Sequence, residues 1–124
     1  MPHPAEHTSV AAPLSAEEAE RISETMSAFT AASRLRLLYG LLGAERSVDE
    51  LAALTGVAPT VASQQLRVLR HLRAVAVRRD GRRAFYRLYD HHMADLLTAI
   101  RHHSEHGQSL EARRDAPAQS VSSG

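Results

Sequence analysis

The stretch Ser47-Val48-Asp49-Glu50-Leu51-Ala52-Ala53-Leu54-Thr55-Gly56-Val57-Ala58-Pro59-Thr60-Val61-Ala62-Ser63-Gln64-Gln65-Leu66-Arg67-Val68-Leu69-Arg70-His71-Leu72 decides the fold. Ser47 followed by Glu50 is a capping box, the reciprocal side-chain pairing that opens a helix. The helix it opens is short, carries Leu51 and Leu54, and stops at Gly56. Pro59 then suits a first helical turn, where its missing N–H leaves no bond unmade. The helix it begins runs to about Leu72, with Val61, Leu66, Leu69 and Leu72 turned inward. Two helices joined by the tight turn Thr55-Gly56-Val57-Ala58 form a helix-turn-helix, whose second helix enters the DNA major groove.

That second helix has a face suited to bases. Thr60, Ser63, Gln64 and Arg67 recur at helical spacing and are all polar. Short hydroxyls permit close approach, Gln bonds adenine bidentately, and Arg bonds guanine or phosphate. A polar face is also what any solvated helix shows, so the next segment matters. Val75-Ala76-Val77 and Ala84 to Leu88 flank Arg78-Arg79-Asp80-Gly81-Arg82-Arg83, and Asp-Gly between alternating segments signals a hairpin. Arg79, Arg82 and Arg83 at its tip are placed to reach phosphates or the neighbouring minor groove. Helix-turn-helix and basic hairpin, in that order, point to DNA binding where either alone would not.

Upstream, Ser15 with Glu18 opens another helix through a capping box, with Ile22, Met26 and Phe29 at helical spacing to about Ala31. Ser33 is the expected cap of a helix over Arg34 to Leu42, with Leu35, Leu38, Leu41 and Leu42 as its stripe and Gly43 as its stop. Downstream, a last helix is expected from about Asp90 to His106, with Met93, Leu96, Leu97 and Ile100 as its apolar face. The expected architecture is mainly α with a β-hairpin wing, a homodimeric winged helix-turn-helix. Residues 1–13 and 107–124 are expected to be disordered tails around a domain spanning 14–106.

Composition narrows the function. The chain has 124 residues and no cysteine, which excludes disulfides and thiolate metal sites. No run approaches the roughly 18 apolar residues of a membrane span, and the N-terminus lacks a secretory pattern, so a cytoplasmic protein with no membrane partner is expected. A phosphate-cradling glycine loop and a convincing nucleophile–base order are both missing, so no enzyme is expected.

Histidine is the unusual residue. The chain has eight, of which His91, His92, His102, His103 and His106 crowd the last helix. His103 and His106 share a face, and His92 lies about three turns before His103, on nearly the same face. Asp90 sits beside His92 at the helix start. At about 1.5 Å per residue the Asp90–His92 pair lies roughly 16–20 Å from the His103–His106 pair, whereas metal–ligand bonds are near 2 Å. One helix cannot close such a site. Two antiparallel copies can, with two identical four-ligand sites and the apolar face between them as dimer contact. Imidazole and carboxylate suit Ni(II), Co(II) and Zn(II) rather than softer ions.

Three motifs together, Ser33-Arg34-Leu35-Arg36-Leu37-Leu38, Val61 to Arg70, and Gly81-Arg82 through Tyr86-Arg87-Leu88-Tyr89-Asp90, resemble the ArsR/SmtB metalloregulators over about Ser15 to His106. The resemblance departs at Gln64, where the family often carries His. Asp90, His92, His103 and His106 resemble the C-terminal-helix ligands of its zinc, nickel and cobalt sensors, most of all the nickel/cobalt branch. It implies a repressor that binds double-stranded operator DNA as a dimer and is released by Ni(II) or Co(II), with Zn(II) as the third candidate. It also implies His3 as an additional ligand from the N-terminal tail. Two other readings remain: a metal-buffering protein on the same scaffold, and a DNA-binding regulator with a vestigial metal site whose signal is a co-regulator protein.

Overall fold

The computed structural model describes residues 12–115. Helix α1 spans Ala16–Met26 and passes through a 3-10 turn, Ser27–Phe29, towards α2, Ala32–Gly40. A two-residue strand β1, Arg46–Ser47, leads into α3, Val48–Thr55, and then α4, Pro59–His71. Strands β2, Val75–Asp80, and β3, Arg83–Leu88, form the hairpin, and α5 runs His91–Asp115.

Both expected capping boxes are present. The Ser15 hydroxyl accepts from the Glu18 N–H at 3.1 Å while Glu18 accepts from the Ser15 N–H at 3.0 Å; Ser47 and Glu50 do the same at 3.2 and 2.7 Å. Each exchange satisfies N–H groups that a helix start leaves without partners. Gly56 closes α3 in the left-handed conformation, φ 78°, which glycine adopts without a Cβ penalty. The cap expected at Ser33 is not used. Helix α2 starts two residues earlier, with Ala31 at the N-cap and no side-chain cap.

The core is aliphatic. Leu37 and Leu38 of α2, Leu51 of α3, Ala62, Leu66 and Leu69 of α4, Val75 of β2, and Met93 and Leu97 of α5 meet in one cluster. Helix α2 crosses α3 closely at Gly40, where an added Cβ would stand 2.9 Å from Thr55 Cγ2 and 3.0 Å from Leu51 Cδ2. Two expectations for the core fail. Val61 is exposed, and Ala62 takes the place assigned to Val61, because a methyl group suffices where α4 approaches its neighbours. In α2, Leu37 rather than Leu35 is fully buried beside Leu38.

The sheet has three strands rather than two, in the antiparallel order β1-β3-β2, with Ser47 opposite Phe85 and Val77 opposite Tyr86. Asp80 pairs with Arg83, leaving Gly81-Arg82 as a two-residue loop. Only Gly81 has positive φ there, 62°, the pattern of a Gly-first type II′ turn rather than an Asp-Gly type I′ turn. Helix α5 continues to Asp115, so the segment 107–115 is helical where a disordered tail was expected. No described helix is long and apolar enough to cross a membrane.

Candidate nucleic-acid interface and metal half-sites

Helix α4 presents two opposed faces. Ala62, Leu66 and Leu69 are buried, and Thr60, Ser63, Gln64 and Arg67 are all exposed on the other side. Its orientation is set by α2: Arg34 Nε donates to Gln65 Oε1 at 2.7 Å, and its Nη1 donates to the Ser27 carbonyl at 2.9 Å. Arg36 donates to the Thr55 carbonyl at the turn between α3 and α4. These arginines and Gln65 position the recognition helix, a role no periodicity in the sequence reveals, because each acts across a long stretch of chain.

Arg79, Arg82 and Arg83 are exposed at the hairpin tip. The Arg83 guanidinium lies 4.8 Å from the centre of the Phe85 ring, a cation–π contact that aligns the side chain along the strand. Arg78 behaves differently. It pairs with Glu45 at 2.7 Å through two of its nitrogens and lies 4.9 Å from the same ring, and this pairing holds the Glu45 carboxyl below its usual range. Arg78 therefore braces the wing against the turn before β1.

At the start of α5, Asp90 Oδ1 accepts from the Met93 backbone N–H at 3.1 Å. Its Oδ2 lies 3.5 Å from His92 Nδ1. The Met93 N–H first, and the His92 ring beside it, lower the Asp90 pKa from its usual value, so the carboxylate is ionised and able to ligate at neutral pH. A separation of 3.5 Å is close to the edge of a tetrahedron with metal–ligand bonds near 2 Å, about 3.3 Å. The donor chemistry and the spacing thus fit a divalent transition metal. His103 and His106 are exposed further along α5. Among the described residues of one protomer, no group of three or more His, Asp or Glu side chains comes close enough to hold a metal ion. The structure brings Asp90 to His92 and leaves His103 and His106 apart from them. His91 stacks near His92, ring centroids 4.1 Å apart. His3 lies outside the described residues.

The apolar face of α5 divides in a way the sequence did not disclose. Met93 and Leu97 are buried in the protomer's own core, while Leu96 and Ile100 are 43% and 39% exposed. Ile22 and Met26 of α1 are also exposed. Helix α5 is anchored to α2 by the Tyr39 hydroxyl, which donates to the Leu97 carbonyl at 2.7 Å.

A helix-turn-helix with a polar outer face and a three-stranded wing tipped with arginine defines a winged helix-turn-helix DNA-binding protein. The family model for bacterial regulatory proteins of the arsR family matches residues 32–76. The chain is 41% identical over 95 residues to the HTH-type transcriptional regulator NmtR of Mycobacterium tuberculosis, covering 77% of this chain and 79% of that one. It is 39% identical over 90 residues to a transcriptional repressor SmtB homolog of Synechocystis, covering 73% and 68%. The solution structure of apo-NmtR superposes with a TM-score of 0.64 at 41% identity, covering 77% of this chain and 81% of that one. The homodimeric winged helix-turn-helix domain of a possible ArsR-family regulator from Mycobacterium bovis superposes with a TM-score of 0.66 at 29% identity, covering 76% and 90%. The chain belongs to the ArsR family; it is a DNA-binding transcriptional regulator and not an enzyme.

Proposed function

We propose that this chain is a cytoplasmic, metal-responsive repressor. It binds double-stranded operator DNA as a homodimer and leaves it when Ni(II) or Co(II), or Zn(II) on the same ligands, is bound between the two α5 helices. The observation that carries this reading is the Asp90–His92 pair, held 3.5 Å apart at one end of α5, with two further imidazoles about three turns along the same helix. Asp90 and His92 of one subunit complete a four-ligand set with His103 and His106 of the partner subunit.

The bound ion supplies a bridge between the chains. The protein's own residues make that bridge matter to DNA. Met93 and Leu97 are embedded in the core that also holds Leu66 and Leu69 of α4, and Tyr39 ties α5 to α2. The pose of α5 against its partner therefore fixes the pose of both recognition helices. Two such helices must reach successive major grooves about 34 Å apart. A pairing angle favoured by the four ligands and one favoured by the operator oppose each other, and the coupling is reciprocal: DNA weakens metal binding by the same factor. Thr60, Ser63, Gln64 and Arg67 read bases, and Arg79, Arg82 and Arg83 hold the backbone.

The test is operator affinity of the full chain on its own upstream DNA, metal-free and with Ni(II), Co(II) or Zn(II) in turn. At least one ion should weaken binding by about tenfold or more, within the ordinary range of allosteric coupling. Equal affinity in all four conditions contradicts the proposal.

A further inference from the structure

Along α5 and the residue before its cap, Tyr89, Met93, Leu96, Ile100, His103, Gly107 and Leu110 recur at alternating steps of four and three, with Met93, buried in its own protomer, at the border between the core face and this row. That alternation is the seam of a paired helix. It does not stop at the last metal ligand, and α5 itself continues to Asp115. Tyr89 and Leu110 are 47% and 44% exposed. Gly107 is the odd member. Glycine is unfavourable inside a helix, and a Cβ added there would meet nothing within 4 Å in its own chain. Packing within the protomer gives no reason for it.

In a two-fold antiparallel pair, facing residues lie equally far from the axis. With the axis at Thr98, Leu96 faces the partner subunit's Ile100, so the two exposed apolar side chains of α5 cover each other. The same axis sets Asp90 opposite the partner subunit's His106, and Met93 opposite the partner subunit's His103. Two independent features, the apolar seam and the spacing of the ligand pairs, thus demand one register. That register sets Tyr89 opposite the partner subunit's Gly107. A groove of about 330 Å³ lies at this place, lined by Leu72, Tyr89, Asp90, His92, Met93 and Leu96 among others.

We propose that Gly107 is a notch for the partner subunit's Tyr89 ring, and that the turn Gly107–Leu110 of each α5 seats in the groove beside the other chain's Asp90 and His92. The occupant is a second copy of this chain. Each metal half-site is then roofed by the other subunit's C-terminal turn, which limits water access to Asp90 and His92 from that side. The inference rests on the antiparallel α5 pairing proposed above and extends it past the ligands.

The chain has no cysteine, so introduced pairs report without background. Metal-free full-length Tyr89→Cys/Gly107→Cys, oxidised mildly, should run chiefly as a covalent dimer on a non-reducing gel. Neither single variant should do so. Within one chain the two positions are about 27 Å apart along the helix, and a disulfide needs Cα atoms within about 7 Å. Leu96→Cys/Ile100→Cys reports the pairing alone. If the Leu96/Ile100 variant links and the Tyr89/Gly107 variant does not, the notch is overturned and the antiparallel pairing stands. If neither links while far-UV circular dichroism shows both folded, the pairing falls as well. Linkage of Tyr89/Gly107 without Leu96/Ile100 overturns the shared register. Independently, Gly107→Leu should fill the notch and raise the dimer dissociation constant at least tenfold with helix content intact. An unchanged or tighter dimer overturns the notch.

Discussion

Leu96 and Leu97 are neighbours in sequence with different work to do, and replacing each by alanine separates them. Leu97 is fully buried in the protomer and Leu96 is 43% exposed. Leu97→Ala removes a core side chain and leaves a cavity in the aliphatic cluster that also contains Leu37, Leu66 and Met93, at a cost of about 3–5 kcal/mol. That is a large share of a domain's total stability and should lower the melting temperature by more than about 10 °C. Leu96→Ala touches the protomer lightly. Full burial of a leucine is worth about 1.5–3 kcal/mol, so the exposed 43% represents about 0.6–1.3 kcal/mol per subunit. Counted twice per dimer, this weakens association by about 10- to 80-fold. Urea unfolding at matched protomer concentration measures the first effect and sedimentation equilibrium over a dilution series measures the second; matching matters because dimer stability depends on concentration. Equal effects of the two changes on association, with the stability of Leu97→Ala unchanged, would refute the division of α5 into a core face and a pairing face.

Arg73 follows α4 with φ 60°, and the bonds from the Ala74 N–H to the Leu69 carbonyl and from the Arg73 N–H to the Arg70 carbonyl complete a Schellman end. Arg73→Gly should therefore stabilise the fold by about 1 kcal/mol, read from the urea midpoint; a lower midpoint contradicts it. Arg82→Ala should weaken binding to all DNA sequences alike and reduce the salt slope by about one unit. Gln64→Ala should instead change which base is preferred, measured across a panel of operator variants, and a wing substitution that altered base preference while Gln64→Ala did not would reverse the two assignments.

Much of this fold is legible locally. Ser15 with Glu18, Ser47 with Glu50, and Gly56 announce helix ends because capping is settled within a few residues. The polar face of α4 and the basic hairpin tip follow from period alone. What the sequence hides is settled by distant contacts. Strand β1 has two residues and no period to show; it exists because β3 offers it partners. Ser33 looks like a cap, but α2 starts from Ala31, and Arg34, already inside the helix, bonds Gln65 and the Ser27 carbonyl. Val61 outranks Ala62 on any hydrophobic scale, and the interior has room for the methyl. The stripe Met93, Leu96, Leu97 and Ile100 reads as one apolar face, and only the packing of α5 on the core shows that Met93 and Leu97 are already spent. For the proposed metal site, the candidate ligands and the spacing that calls for two chains are local features of the sequence. The 3.5 Å approach of Asp90 to His92 depends on how the chain enters α5, which residue spacing does not show.

The central claim is that each metal site is divided between two subunits, and subunit mixing tests it most directly. His92→Ala and His103→Ala homodimers should each lose high-affinity Ni(II) or Co(II) binding, because every site in either lacks one imidazole. Mixed and allowed to exchange, they form heterodimers in about half of the population by two-fold statistics. In each heterodimer one site joins an intact Asp90–His92 pair to an intact His103–His106 pair, and the other lacks both histidines. Metal titration of the mixture should recover about a quarter of all sites at wild-type affinity. A mixture that binds no more metal than the separate variants, with exchange verified by a tagged subunit, contradicts the divided site.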